Sequence, residues 1–336
     1  MMRAELRTLR LTEPFRIAHG TSADRTVLRV RHGDAVGEAP FVPYYKEEPS
    51  ATLRWLQGLG WNGGPAPAEG PRAGRLALDL LWHDIIGKQR GESLGAMWRL
   101  DAAKSPPGCR SFSIPSDLDS FAEKIRVVSR QFPVLKLKLG SGNIDFDEAI
   151  VAKACEAAPH ARIMADVNGG WSVAEAAKLI PILARRGLKL IEQPVHHDGG
   201  VEVWRELRKA LPSSCSIPLY ADESTQKADD VRMFAGVADG VNVKLLKCGS
   251  MEQAKTMIRF ARDLRMKVML GCMIESSIGI TAAAHLAPLA DWIDLDGHLY
   301  VADNDYEGIC YDADGALVMP GRPGIGVVPI KNSQCA

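Results

Sequence analysis

The sequence contains no run of the roughly 18 uninterrupted apolar residues that a membrane-spanning helix needs, so no span is expected. It has no excess of either charge, because 41 Lys plus Arg balance 41 Asp plus Glu. A balanced chain offers no electrostatic footprint for nucleic acid or for a membrane surface, and a small-molecule substrate is the expected partner. None of the seven cysteines sits in a C-x-x-C pair. An odd, scattered set reads as reduced thiols of the cytoplasm and excludes a disulfide framework. The opening stretch MMRAELRTLRL is charged throughout and has no apolar h-region, so a signal peptide is not expected. No low-complexity tract interrupts the chain.

What is present is an α/β pattern with a distinct beginning and end. The 336 residues exceed one ordinary domain but suit a barrel of about 200 to 250 residues plus a smaller domain. Over residues 1–105, RAELRTLRL and RTVLRVRHGDAVGEAP alternate as antiparallel strands do, with HGD as a turn. GPRAGRLALDLLWHDIIGKQRG then has apolar residues at helical spacing and a closing Gly. Strands followed by helix predict a small α+β domain. Over residues 106–298, eight β-type runs recur, each followed by a helical stretch: CRSFSIP, VLKLKLG, ARIMADV, LKLIEQP, IPLYADES, GVNVKLL, KVMLGCM and WIDLDG. Eight such units predict a parallel TIM-type barrel. A doubly wound sheet would carry G-x-G-x-x-G after its first strand, and none is there. Residues 299–336 are Gly- and Pro-rich and are expected to return to the first domain.

Barrel active sites open at strand C-termini. The second run ends in Lys136 and Lys138, the third in Asp166 with Asn168 beyond, and the fourth in Glu192. The fifth ends in Asp222 and Glu223, the sixth in Lys244, and the eighth carries Asp294 and Asp296. Neighbouring strands would bring Asp166, Glu192 and Asp222 to one arc of the mouth. Three oxygen donors without His or Cys suit Mg²⁺ better than zinc. Strands two and six lie across an eight-strand ring, so Lys138 and Lys244 would face a bound substrate from opposite sides. A lysine near 10.4 is too basic to serve as a base, and like charge from Lys136 and a metal would lower Lys138. Lys247 rivals Lys244 but is expected in the following loop. Taken singly, a K-x-K is usually a solvated edge and an Asp before a turn is usually a cap. Their joint placement is what carries weight.

The stretches KLKLG, MADVNGGW, IEQPV, YADES and VNVKLLKCG resemble the enolase superfamily, in its muconate lactonizing subgroup, over nearly the whole chain. The resemblance implies a modified (β/α)₇β barrel with a capping domain formed by the N-terminal region and the C-terminal tail. It implies one Mg²⁺ per subunit on Asp166, Glu192 and Asp222, with Lys138 and Lys244 as the two bases. It also allows a homo-oligomer, since members often form octamers or dimers. IDLDG matches the Asp-x-Asp with which dipeptide epimerases bind the substrate ammonium, here Asp294 and Asp296. The implied reaction is epimerisation at the C-terminal residue of an L,L-dipeptide by proton transfer through an enolate.

Lys136, Ser111, Cys272 and Asn168 are further candidates for substrate contacts. Members acting on Ala-Glu place cations at the positions of Gly20 and Ser277. Neither is charged here, which points to L-Ala-L-Xaa with a neutral or apolar Xaa, unless Arg16 or His19 serves instead. The alternatives on this scaffold are an N-acylamino acid racemase, an o-succinylbenzoate synthase or another muconate-cycloisomerase-like enzyme. More remote is a non-catalytic binding protein.

Overall fold

Alternating residues between positions 3 and 40 fold as a three-stranded antiparallel sheet of β1 (Arg3–Ile17), β2 (Gly20–His32) and β3 (Ala35–Pro40). The structure, a computed structural model, describes residues 2–330. β1 extends beyond RAELRTLRL, through Pro14 and Phe15 to Ile17. Its register with β2 shifts between Arg10 and Phe15, an irregularity of the kind that bends a strand pair. The hairpin beyond this shift reaches the barrel mouth, where Phe15, Ile17, Ser22 and Arg25 line a cavity.

Helix Arg72–Arg90 forms as its apolar spacing predicts and ends on Gly91 at φ 68, the left-handed closure glycine adopts easily. Its Asp84 is fully buried and accepts from the backbone N–H of Val36 at 2.9 Å and of Ile325 at 2.8 Å. One carboxylate thus ties the first sheet to the chain's far end. Arg29 does the same across the sheet, pairing with Glu38 at 2.6 Å and Asp305 at 2.7 Å. Residues 331–336 of the expected C-terminal return lie outside the described residues.

The eight runs become eight parallel strands in sequence order: β4 (Cys109–Phe112), β5 (Val134–Lys138), β6 (Arg162–Asp166), β7 (Ile191–Glu192), β8 (Leu219–Ala221), β9 (Gly240–Lys244), β10 (Lys267–Gly271) and β11 (Trp292–Asp294). Helices follow the first seven strands and only a short 3₁₀ turn, Gly297–Tyr300, follows β11. This is the (β/α)₇β pattern. The seam between β4 and β11 has no ladder, but the Ser111 hydroxyl donates to Asp294 at 2.8 Å and the Ser111 N–H to Asp296 at 2.7 Å.

Period-two alternation fixes what fills the barrel. Cys109, Val134, Met164, Leu190, Tyr220 and Met269 pack together as an apolar plug. Two residues further along the same segments, within a strand or immediately beside one, come Ser111, Lys136, Asp166, Glu192 and Asp222, so a polar layer sits directly above the plug. On β10 that layer has Gly271, because a Cβ there would stand 2.4 Å from Asn242 Oδ1. The missing side chain leaves room for the Asn242 amide.

Candidate active site

The three acids expected to converge do so. Asp166, Glu192 and Asp222 are fully buried and each offers an oxygen within 4.8 Å of the others. Each is held in place by a neighbour. Lys138 meets Asp166 Oδ2 at 2.5 Å, and the Asn168 N–H donates to Oδ1 at 2.9 Å. Asn242 Nδ2 donates to Glu192 Oε1 at 2.8 Å. Lys244 meets Asp222 Oδ2 at 2.6 Å. β5 and β9 are separated by three strands, so Lys138 and Lys244 flank the triad from its two ends and line one cavity.

Charge in this buried layer is unevenly distributed. Burial opposes ionisation of Asp166, but Lys138 and Lys136 outweigh it and hold the carboxyl well below its usual range. Asp222 is likewise held down, by Lys244 and Lys247 against burial. Glu192 goes the other way: burial and then the Asp166 charge push it up to about 8. Burial lowers Lys244, yet Asp222 overrides this and raises it well above its ordinary value. Three converging oxygen donors, with no His or Cys among them, fit a hard divalent cation such as Mg²⁺.

Lys136 departs from the expected arrangement. It is fully buried, does not line the cavity, and pairs with Asp294 at 2.7 Å, Glu192 at 2.8 Å and Asp166 at 3.3 Å. Its ammonium is engaged by carboxyl groups, where a direct contact to substrate was expected. Three carboxyl groups surround it, so it is not a bare like charge acting on Lys138. Lys247 also corrects the reading. It lies in a short helix, Leu245–Cys248, and its buried ammonium donates to Asp222 Oδ1, Asp222 O and Asn242 O at 2.6–2.7 Å.

Asp294 and Asp296 both line the cavity. Neither caps the following turn with its side chain: Asp296 sits at that N-cap position without a cap bond. Burial opposes ionisation of Asp294, but Lys136 outweighs it. Asp296 is pushed up to about 6 by burial and the Asp294 charge, while Arg110 lies 3.6 Å away. Ser111, Asn168 and Cys272 line the same cavity, although the Ser111 hydroxyl and N–H are already engaged by the two aspartates.

Gly20 and Ser277 do not line it. Gly20 is exposed at the β1–β2 turn. Ser277 is buried at the start of helix Ser277–Ala284, where its hydroxyl accepts from Asn304 Nδ2 at 2.6 Å. The neutral or apolar Xaa expectation rested on these two positions. Arg16 faces a neighbouring groove, and His19 stands 4.0 Å from Glu223. Sequence reasoning missed Asn242, whose signal is its place two residues before Lys244 on one strand face. It also missed Tyr44, Arg25 and Tyr300, which no local pattern brings to the mouth.

An oxygen-donor triad thus lies between the Lys138 and Lys244 ammonium groups at the C-terminal end of a parallel barrel. The chain belongs to the enolase C-terminal domain-like family, whose model matches residues 120–332. It is 31% identical over 304 residues to an L-Ala-D/L-amino acid epimerase of Maribacter sp., covering 87% of each chain. It is 37% identical over 259 residues to a hydrophobic dipeptide epimerase of a Flavobacteria bacterium, covering 76% of this chain and 72% of that one. A dipeptide epimerase of Methylococcus capsulatus, solved with Mg and L-Arg-D-Lys, superposes with TM-score 0.86 at 28% identity, covering 98% and 99%. With these relatives the protein is an isomerase acting on a small molecule. None of the described helices is long and apolar enough to cross a membrane.

Proposed function

We propose that this protein is a Mg²⁺-dependent dipeptide epimerase that inverts the α-carbon of the C-terminal residue of an L,L-dipeptide. The observation that carries the reading is the placement of Lys138 and Lys244 at opposite ends of the Asp166–Glu192–Asp222 triad. When bound, Mg²⁺ would supply Lewis-acid stabilisation of the charge developing on the substrate carboxylate. One lysine, neutral, takes the α-proton, and the other, protonated, returns a proton from the opposite face. Asn242 fixes Glu192, and Lys247 fixes Asp222, so the triad needs little reorganisation on binding. Asp294 and Asp296 hold the substrate ammonium at the β11 end of the cavity.

One observation favours a second reading, an N-acylamino acid racemase. Asp294 and Asp296 already have cationic neighbours in Lys136 and Arg110, which weakens their pull on a further cation. The test is to incubate the protein with Mg²⁺ and a library of L,L-dipeptides and N-succinylamino acids in D₂O. The epimerase reading expects a one-dalton gain on dipeptides. Gain on acylated amino acids alone, or on nothing, contradicts it.

A further inference from the structure

Five of the eight histidines have a structural partner in the fold. His83 meets the Asp79 carbonyl at 2.8 Å, His160 the Ser129 carbonyl at 3.1 Å and His285 the Ile325 carbonyl at 3.0 Å. The His32 ring packs edge-on against Trp61, and His298 stacks on Tyr311. The other three, His19, His196 and His197, come from two distant segments and meet one another at the rim of the barrel. His19 occupies the turn between β1 and β2. His196 and His197 follow β7, where the short 3₁₀ turn His197–Gly199 begins.

The geometry is that of a donor cluster. The His196 and His197 rings stack with centroids 4.5 Å apart, and the His19 ring stands edge to face on His196 at 6.4 Å. The Asp198 carboxylate lies 3.6 Å from His196 Nδ1 and 3.4 Å from His197 Nε2. One donor atom from each of His196, His197 and Asp198 lies within 4.8 Å of the other two. His196 and Asp198 are exposed, so their side chains can turn the short way needed to reach metal-bond distances of about 2.0–2.2 Å. The Asp198 N–H bond to His196 Nδ1 is long, at 3.3 Å, and gives way at little cost. His19 Nε2 comes no closer than 4.0 Å to Glu223 Oε1, beyond hydrogen-bond range, so this ring is also free to turn. Burial, and then the neighbouring imidazoles, lower His19 and His197, which leaves their ring nitrogens unprotonated and able to ligate at neutral pH.

The donor set differs in kind from the oxygen triad. Imidazole nitrogens with one carboxylate suit Zn²⁺ and similar borderline cations, whereas three carboxylates suit Mg²⁺. We propose that His196, His197 and Asp198 form a second metal site, for Zn²⁺ or a cation of its class, and that His19 closes it as the fourth ligand. A bound ion would staple the β1–β2 turn to the loop after β7. The stapled hairpin is the one whose Phe15, Ile17, Ser22 and Arg25 wall the cavity. The site forms whether or not the protein is an epimerase.

The experiment titrates Zn²⁺ by calorimetry into protein held at saturating Mg²⁺, comparing wild type, His196→Ala/His197→Ala and His19→Gln. Unchanged metal-free melting temperatures show that the variants are folded. Wild type is expected to take up one Zn²⁺ per chain that the double variant does not. His19→Gln is expected to bind that ion at least about 10-fold more weakly, the low end of what a lost partner costs a metal site. Any Zn²⁺ that enters the triad adds the same increment to all three proteins and leaves the comparison intact. Equal Zn²⁺ uptake by wild type and the double variant overturns the second site. Equal affinity in wild type and His19→Gln overturns the staple. Neither result bears on proton exchange in dipeptides, so the epimerase reading stands or falls separately.

Discussion

The Lys136 ammonium stands 2.7 Å from Asp294 Oδ2 and so links the eighth barrel strand to the acid triad through one buried cation. Its charge is fixed there: burial lowers it, but Asp294, Glu192 and Asp166 together raise it well above the ordinary lysine value. Removing one partner of a buried charge cluster costs about 3–5 kcal/mol, because the remaining charges are left uncompensated. Lys136→Met should lose stability on that scale in urea unfolding, and Mg²⁺ should restore part of it. Wild-type stability in the variant would show that the cluster is solvated.

Metal binding should be proton-coupled. Glu192 titrates near 8, so below that pH the metal-free protein carries a proton there that a cation must displace. Affinity for Mg²⁺ should rise with pH up to about 8 and flatten beyond. Calorimetry at pH 7 in buffers of different ionisation enthalpy should register the released proton. The sign for stability is opposite. A carboxyl raised from its ordinary value near 4.3 binds more protons folded than unfolded across that window, so metal-free stability falls as pH climbs from about 4.3 to 8.

The ammonium subsite should have its own pH limb. Asp296 titrates near 6 and is neutral below that value, so it attracts a cation only above it. KM for a dipeptide should fall as pH rises through 6, and Asp296→Asn should flatten that limb. Asp294→Asn should cripple turnover of dipeptides and, because it also removes a partner of the buried Lys136, should lose stability on the scale given above.

Gly271→Ala tests the packing of the polar layer without touching substrate. The added Cβ would press on the Asn242 amide that holds Glu192. Overpacking of this kind costs about 1–3 kcal/mol. Thermal unfolding should show that loss, and Mg²⁺ affinity should weaken with it.

The barrel and the five charged residues at its mouth were legible because strand ends, period-two alternation and strand order encode them directly. Lys138, Asp166, Glu192, Asp222 and Lys244 each close a strand or follow one immediately. The rest depends on contacts between distant segments. Lys247 reaches Asp222 only because a helical turn folds it back, which its distance past the strand end does not reveal. Lys136 looked like a free cation because its three acidic partners come from three other strands. Arg25 and Tyr44 reach the cavity through a bent hairpin whose seating on the barrel leaves no periodic trace, whereas alignment alone pointed to Gly20 and Ser277.

The account stands on two bases acting from opposite faces, and isotope exchange by single-lysine variants measures that most directly. Both Lys138→Ala and Lys244→Ala should lose epimerisation by at least about 10²- to 10⁴-fold, the contribution of a positioned base. In D₂O with Mg²⁺, each variant should still wash deuterium into one dipeptide epimer, and the two variants should choose opposite epimers. If both variants exchange the same epimer, the two-base account is contradicted.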